Sequence, residues 1–127
     1  MALKKPLVAV SGGLQELAVG DLIATSYPVS PAYAATISLD CATSNAFNVT
    51  LTGNATLALA NEASANVFMI SITQDAVGSR TVTWFAGIRW VNGTVPTLTT
   101  TASKRDTFGF VRTGVGTYDG YIVGKNI

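Results

Sequence analysis

From residue 34 onward, apolar and polar positions alternate in short runs. In AFNVTLT (46–52), Phe47, Val49 and Leu51 share one face, while Asn48, Thr50 and Thr52 share the other. That period of two marks a half-buried strand. ATISLD (35–40) places Ile37 and Leu39 together, and ATLALA (55–60) turns Leu57 and Leu59 inward. NVFMISITQ (66–74) is apolar on both faces, with Phe68, Ile70 and Ile72 opposed to Val67 and Met69. It reads as a central strand or one covered by a neighbouring subunit. SRTVTWF (79–85) and IRWV (88–91) continue the series, and TLTTTA (97–102) is a candidate edge strand. RDTFGFVRT (105–113) and TYDGYIVGK (117–125) are expected to pair around 114–116 as a hairpin.

Turn residues punctuate these runs. Asp75 and Gly78 delimit one turn, and Asn92-Gly93 is a strong hairpin signal. The stretch 73–100 therefore reads as two hairpins, with Trp84 and Trp90 anchoring sheet to sheet. The best helical candidate, LANEASAN (59–66), is too short and too polar to stand alone. Short strands at regular spacing predict an all-β fold, an antiparallel β-sandwich of jelly-roll-like form.

Residues 1–30 break the pattern. Leu7-Val8-Ala9-Val10 and Leu14-Gln15-Glu16-Leu17 are short apolar pieces interrupted by Gly12-Gly13 and Gly20-Asp21. Too short to make a sheet alone, they are expected to lie against another surface. SYPVSPAY (26–33) carries two prolines and reads as extended chain. The expected organisation is an extended N-terminal arm, 1–30, and a β-sandwich domain, 31–127.

Charge changes the picture. Only 12% of residues are charged and 48% are hydrophobic, against about 25% charged in ordinary soluble domains. Such a chain has apolar surface to hide, and a subunit interface is the natural place. No apolar run approaches the ~20 residues of a membrane-spanning helix, and no secretory signal is read at the start. The net charge of +1, without a basic cluster beyond Lys4-Lys5 and Lys104-Arg105, argues against nucleic acid as a partner.

Candidate chemistry is sparse. The chain has no His, which removes the commonest general base and the commonest metal ligand. Ser–His and Cys–His nucleophiles are thereby excluded. Cys41 is the single cysteine and reads as a small buried apolar residue rather than a reactive thiol. A glycosidase would need two carboxylates across a cleft. Asp75 with Asp106 is the pair to consider, but Asp75 reads as a turn residue. No calcium loop, phosphate loop or cofactor motif is present. The sequons at Asn48, Asn54 and Asn92 carry little weight in an Asn- and Thr-rich chain. Phe85, Trp90, Tyr118 and Tyr121 are candidate interface or ligand aromatics, the alternative being that they pack in the core. Arg80 and Arg89 flank the tryptophans and could stack on them or reach Asp75.

The segment 70–124 resembles a module of tailed-bacteriophage virion proteins, found in tail-fibre, head-fibre and capsid-decoration chains. The shared pattern is Gln74, Asp75, Gly78, Arg80 to Trp84, Trp90, Gly93, Pro96 to Leu98, and Asp106, Phe108 and Phe110. The upstream 48–66 fits as well, and KPLVAVSGGLQELAVGDLI looks like the joining segment that precedes such modules. The resemblance implies a non-enzymatic structural protein without cofactor, made in the bacterial host cytoplasm and placed on the virion. The short chain implies a decoration or cement protein on the outer surface of the capsid, a homotrimer bound to the major capsid protein. Lys4, Lys5, Leu7, Val8, Val10, Leu14 and Leu17 would then form the capsid-attachment arm. The alternative is a small tail- or head-fibre module that binds a receptor or host glycan.

Overall fold

The computed structural model describes Leu7–Val10 and Gly13–Glu16 as backbone strands and residues 28–127 in full. Strands β1 (Leu7–Val10) and β2 (Gly13–Glu16) form an antiparallel pair that, among the described residues, joins no other sheet. Of the rest of the expected arm, residues 28–30 are described and the remainder lies outside the described residues. The fold proper begins by Val29, whose backbone N–H donates to the Ala46 carbonyl and whose carbonyl accepts from the Asn48 N–H.

The chain then alternates between two sheets. Strands β3 (Thr36–Asp40), β5 (Ala55–Ala60) and β7 (Val82–Thr83) form one sheet. Strands β4 (Ala46–Leu51) and β6 (Val67–Gln74) enter the other. Partners within each sheet are parallel: Thr36 pairs with Thr56, Ala46 with Met69, and Ala55 with Val82. The backbone from 36 to 83 is thus a flattened coil, each half-turn crossing from one sheet to the other. The second sheet is completed by β8 (Ile88–Trp90), β9 (Arg105–Gly114) and β10 (Thr117–Gly124), in the order β4-β6-β9-β10-β8. Antiparallel pairing holds for β6 with β9 and for β9 with β10, while β8 runs parallel to β10.

The all-β architecture with two facing sheets is therefore present. Its pairing is mixed rather than wholly antiparallel, as a jelly roll would require. Coil connections that switch sheets return each strand in the same direction, which makes neighbours parallel. The β9–β10 hairpin forms as expected, with Gly116 in the left-handed region at its turn. The two hairpins expected within 73–100 do not form. Strands β6 and β7 lie in different sheets, and residues 97–102 form no strand.

Between the sheets, alternate residues meet in the core. Ile37, Leu39 and Leu57 face Phe47, Val49, Leu51, Phe68, Ile70, Ile72, Phe108 and Phe110, all almost fully buried. Phe68 and Phe110 stack at 5.1 Å on adjacent strands. The row then runs through Gly120 to Trp90. Glycine is required at 120, since a Cβ there would come within 2.7 Å of the Trp90 ring. Gly87, with φ +86°, approaches the Gly116 carbonyl so closely that a Cβ would overlap its oxygen. That contact seats the start of β8 against the β9–β10 turn.

Candidate functional site

The aromatic candidates separate sharply in space. Tyr118 is buried, with its ring edge-on to Phe68 and Phe85 at 5.9 and 5.2 Å. Phe85 lies 5.3 Å from Phe110. Trp90 packs edge-on to Trp84, Phe108 and Phe110, and both indoles lie partly buried against the core. These three candidates, Phe85, Trp90 and Tyr118, are packing residues in this fold. Tyr121 alone stands on the outer face of the five-stranded sheet, 44% exposed. Of the arm candidates, Leu7, Val8 and Val10 lie in β1 and Leu14 in β2. Lys4, Lys5 and Leu17 fall outside the described residues.

The ionisable groups in the folded part are mostly committed to structure. Glu62 opens a 3-10 turn at Glu62–Ser64 and reaches across to the β9–β10 hairpin. It accepts from Arg112 Nε at 2.7 Å and from the Tyr118 hydroxyl at 2.8 Å. Arg112 first, then Tyr118, holds the Glu62 carboxyl down to about 2. Burial, and then the same bond seen from the other side, pushes Tyr118 up to about 12. The pair locks the coil to the terminal hairpin.

Asp75 caps its own turn, accepting from the backbone N–H groups of Val77 and Gly78 while pairing with Arg80 at 2.9 Å. The Arg80 guanidinium, then the Gly78 N–H, lowers its pKa. Asp106 is 2% exposed. Burial alone would raise its pKa, but the N–H groups of Thr99 and Asn126 and the Lys125 ammonium outweigh burial, and the net shift is downward. Lys125 also donates to the Thr97 carbonyl. The two carboxylates weighed as a hydrolytic pair are thus each occupied by separate structural partners. Burial raises the Cys41 pKa, keeping it a thiol that donates weakly to the Leu39 carbonyl. Among the described residues, no group of three His, Cys, Asp or Glu is placed to hold a metal.

The outer face of the five-stranded sheet is different. Across it, Val67, Val111, Asp119 and Arg89 form one cross-strand row, and Met69, Gly109 and Tyr121 form the next. Val67, Met69 and Val111 are exposed, and Val123 reaches over Gly109. At the far edge, Arg89 Nε lies 3.3 Å from Asp119 Oδ1. Beside this pair a groove of about 240 Å³ is lined by Arg89, Trp90, Val91, Asp119, Gly120 and Tyr121. Arg89 was legible only as a residue flanking a tryptophan. Its partner Asp119 depends on the parallel β8–β10 pairing, for which the sequence carries no local signal.

Residues 34–117 match the family described as "Putative phage tail fibre C-terminal domain". The chain belongs to this family. The match covers well over half of the sequence and runs from just before β3 to the first residue of β10. No match appears among curated proteins or among solved structures. The tail-fibre domain thus comprises the coil, β8 and β9, and the chain is a structural component of a phage virion. Arg89 lies inside the matched tail-fibre region, whereas Asp119 and Tyr121 lie beyond its end.

Proposed function

We propose that this chain is a non-enzymatic module of a phage tail fibre, held as a homo-oligomer by the outer face of its five-stranded sheet. The observation that carries the reading is that face. Val67, Met69 and Val111 adjoin one another on β6 and β9, exposed at 57%, 38% and 38%. A contiguous apolar patch on a charge-poor chain asks for a partner surface. Closed symmetry makes copies of the same chain the simplest partner, and a trimer is the form proposed here. The free rim of the module would then meet the host receptor.

The separate β1–β2 hairpin supports a second feature. A lone two-stranded hairpin is marginal in water, so this one fits a segment that docks on another virion protein. Docking on the major capsid protein would instead make the chain a head decoration or cement protein. The family match supports the fibre location over that one.

Immunogold labelling of intact virions tests the choice. Label confined to the fibres is the expected result. Label spread over the head at many copies would overturn the fibre reading and establish decoration. Full-length protein that runs as a monomer at all concentrations would overturn the oligomer.

A further inference from the structure

We propose that the groove at the end of β8, between Arg89, Asp119 and Tyr121, is a subsite for one uncharged pyranose ring of a cell-surface polysaccharide. The proposal rests on the fibre reading and assigns that fibre a point of contact.

Strand β8 ends at Trp90, opposite Gly120, so β10 becomes a free edge from Tyr121 onward. Tyr121 stands there with its ring partly open to solvent. Val91, 52% exposed, forms an apolar wall on the neighbouring segment. One position back on β10, Asp119 faces Arg89 directly across the parallel pair. The Arg89 side chain is 80% exposed, and its bonded nitrogen is Nε. The bond to Asp119 engages Nε alone, and Arg89 and Tyr121 line the same groove.

This combination suits a sugar. The C–H face of a pyranose stacks on an aromatic ring that carries a polar tip. Vicinal hydroxyls are both donors and acceptors. A carboxylate accepts from one of them while a guanidinium donates to the next. The two groups stand 3.3 Å apart on the groove wall, so one hydroxyl-bearing ring can meet both. The pair is neutral overall, so the groove favours an uncharged ring over a phosphate or a uronate. At about 240 Å³ it admits a single ring rather than an oligosaccharide. One such contact is weak, and repetition across an oligomeric fibre raises the effective affinity.

The rim position also separates the groove from the patch assigned to self-association. Val67 lies on β6 and Arg89 on β8, at opposite ends of the same cross-strand row. A partner copy seated over β6 and β9 can leave the β8 rim open.

The test uses the fluorescently labelled full chain on an array of bacterial O-antigen and capsular polysaccharides. Wild-type protein is expected to bind at least one uncharged polysaccharide. Tyr121→Ala and Arg89→Ala should each lower that signal about tenfold or more, with thermal midpoints unchanged because both side chains are exposed. Val115→Ala, at the exposed β9–β10 turn, should leave binding intact. Absence of wild-type binding to every polysaccharide overturns the proposal, as does binding that survives both Tyr121→Ala and Arg89→Ala. Fibre labelling on virions would stand in either case, so failure of the subsite is distinguishable from failure of the fibre reading.

Discussion

Trp90 fills the space that a side chain at position 120 would take. The Trp90 ring carbons lie 2.7 and 2.8 Å from where a Gly120 Cβ would sit, and Ile88 closes the other side at 2.8 Å. Both neighbours are themselves packed, Trp90 against Trp84, Phe108 and Phe110. Gly120→Ala is therefore expected to destabilise the domain by about 1–3 kcal/mol, the usual range for overpacking a close-packed site. Urea unfolding followed by tryptophan fluorescence measures this. An unchanged midpoint would mean that the indole has room to move.

The same contacts distinguish Trp90 from Tyr121. Trp90→Ala should cost up to about 3 kcal/mol, the low end for large-to-small aromatic replacements, since the indole is only partly buried against the core. Tyr121→Ala should fall within about 0.5 kcal/mol of wild type, as exposed positions do. Paired thermal melts of the two variants check the assignment of Trp90 to the core and Tyr121 to the surface.

Strand positions were legible because alternation survives any pairing. Phe47, Val49 and Leu51 face the core whichever strand lies beside them, and their burial agrees with the pattern. Pairing was not legible. Asn92 and Gly93 do adopt the left-handed conformations that a tight hairpin turn needs, at φ 58° and 65°. Yet the chain leaves β8 for a long excursion, and β8 pairs parallel with β10. The turn at Asp75 was legible too, including its capping carboxylate. The hairpin expected from it is replaced by the side chain of Gln74. That amide donates to the Arg80 and Thr99 carbonyls and accepts from the Arg80 N–H, all at 2.9 Å. A buried amide thus serves as a local strand partner, and the backbone is released to the other sheet. The Arg89–Asp119 groove inherits this difficulty, since it exists only through the parallel register.

Asp106 is the buried carboxylate on which the C-terminal segment converges. One oxygen accepts from the Thr99 N–H at 2.6 Å and lies 2.9 Å from Lys125 Nζ, and the other accepts from the Asn126 N–H at 2.8 Å. Asp106→Asn turns an amide donor toward one of these N–H groups and removes the charge that Lys125 faces. Leaving a buried donor without an acceptor costs about 1–3 kcal/mol. The substitution should lower stability by that amount and increase amide hydrogen exchange in 97–99 and 125–127. A variant with wild-type exchange in both segments would show that Asp106 does not hold them.

Self-association follows from Met69 and Val111 if the outer sheet face is the interface. A double variant, Met69→Lys with Val111→Lys, places two ammonium groups in that patch, where a neighbouring copy would have to desolvate them. Light scattering should then give the mass of one 13.2 kDa chain, with circular dichroism retaining the β signature. An oligomer that persists in the double variant would move the interface elsewhere.

The pH dependence of stability should show a broad plateau with losses only at its ends. The chain contains no His, so no imidazole titrates in the neutral range. Glu62 has its pKa depressed from 4.5 to about 2 by Arg112 and Tyr118. A depressed carboxylate contributes stability that is fully present above its unfolded pKa, and this is lost as pH falls through the window from 4.5 towards 2. Tyr118 is raised from 10.0 to about 12. Its contribution is complete below pH 10 and is lost as pH climbs towards 12. Thermal midpoints measured from pH 2 to 11 should therefore stay nearly level between about 5 and 9 and decline on both sides. Glu62→Gln cannot ionise, so it should lower the plateau and flatten the acid limb. Tyr118→Phe removes the phenol and should weaken the alkaline decline. An acid limb of unchanged steepness in Glu62→Gln would assign that loss to the other depressed carboxylates, Asp40, Asp75 and Asp106.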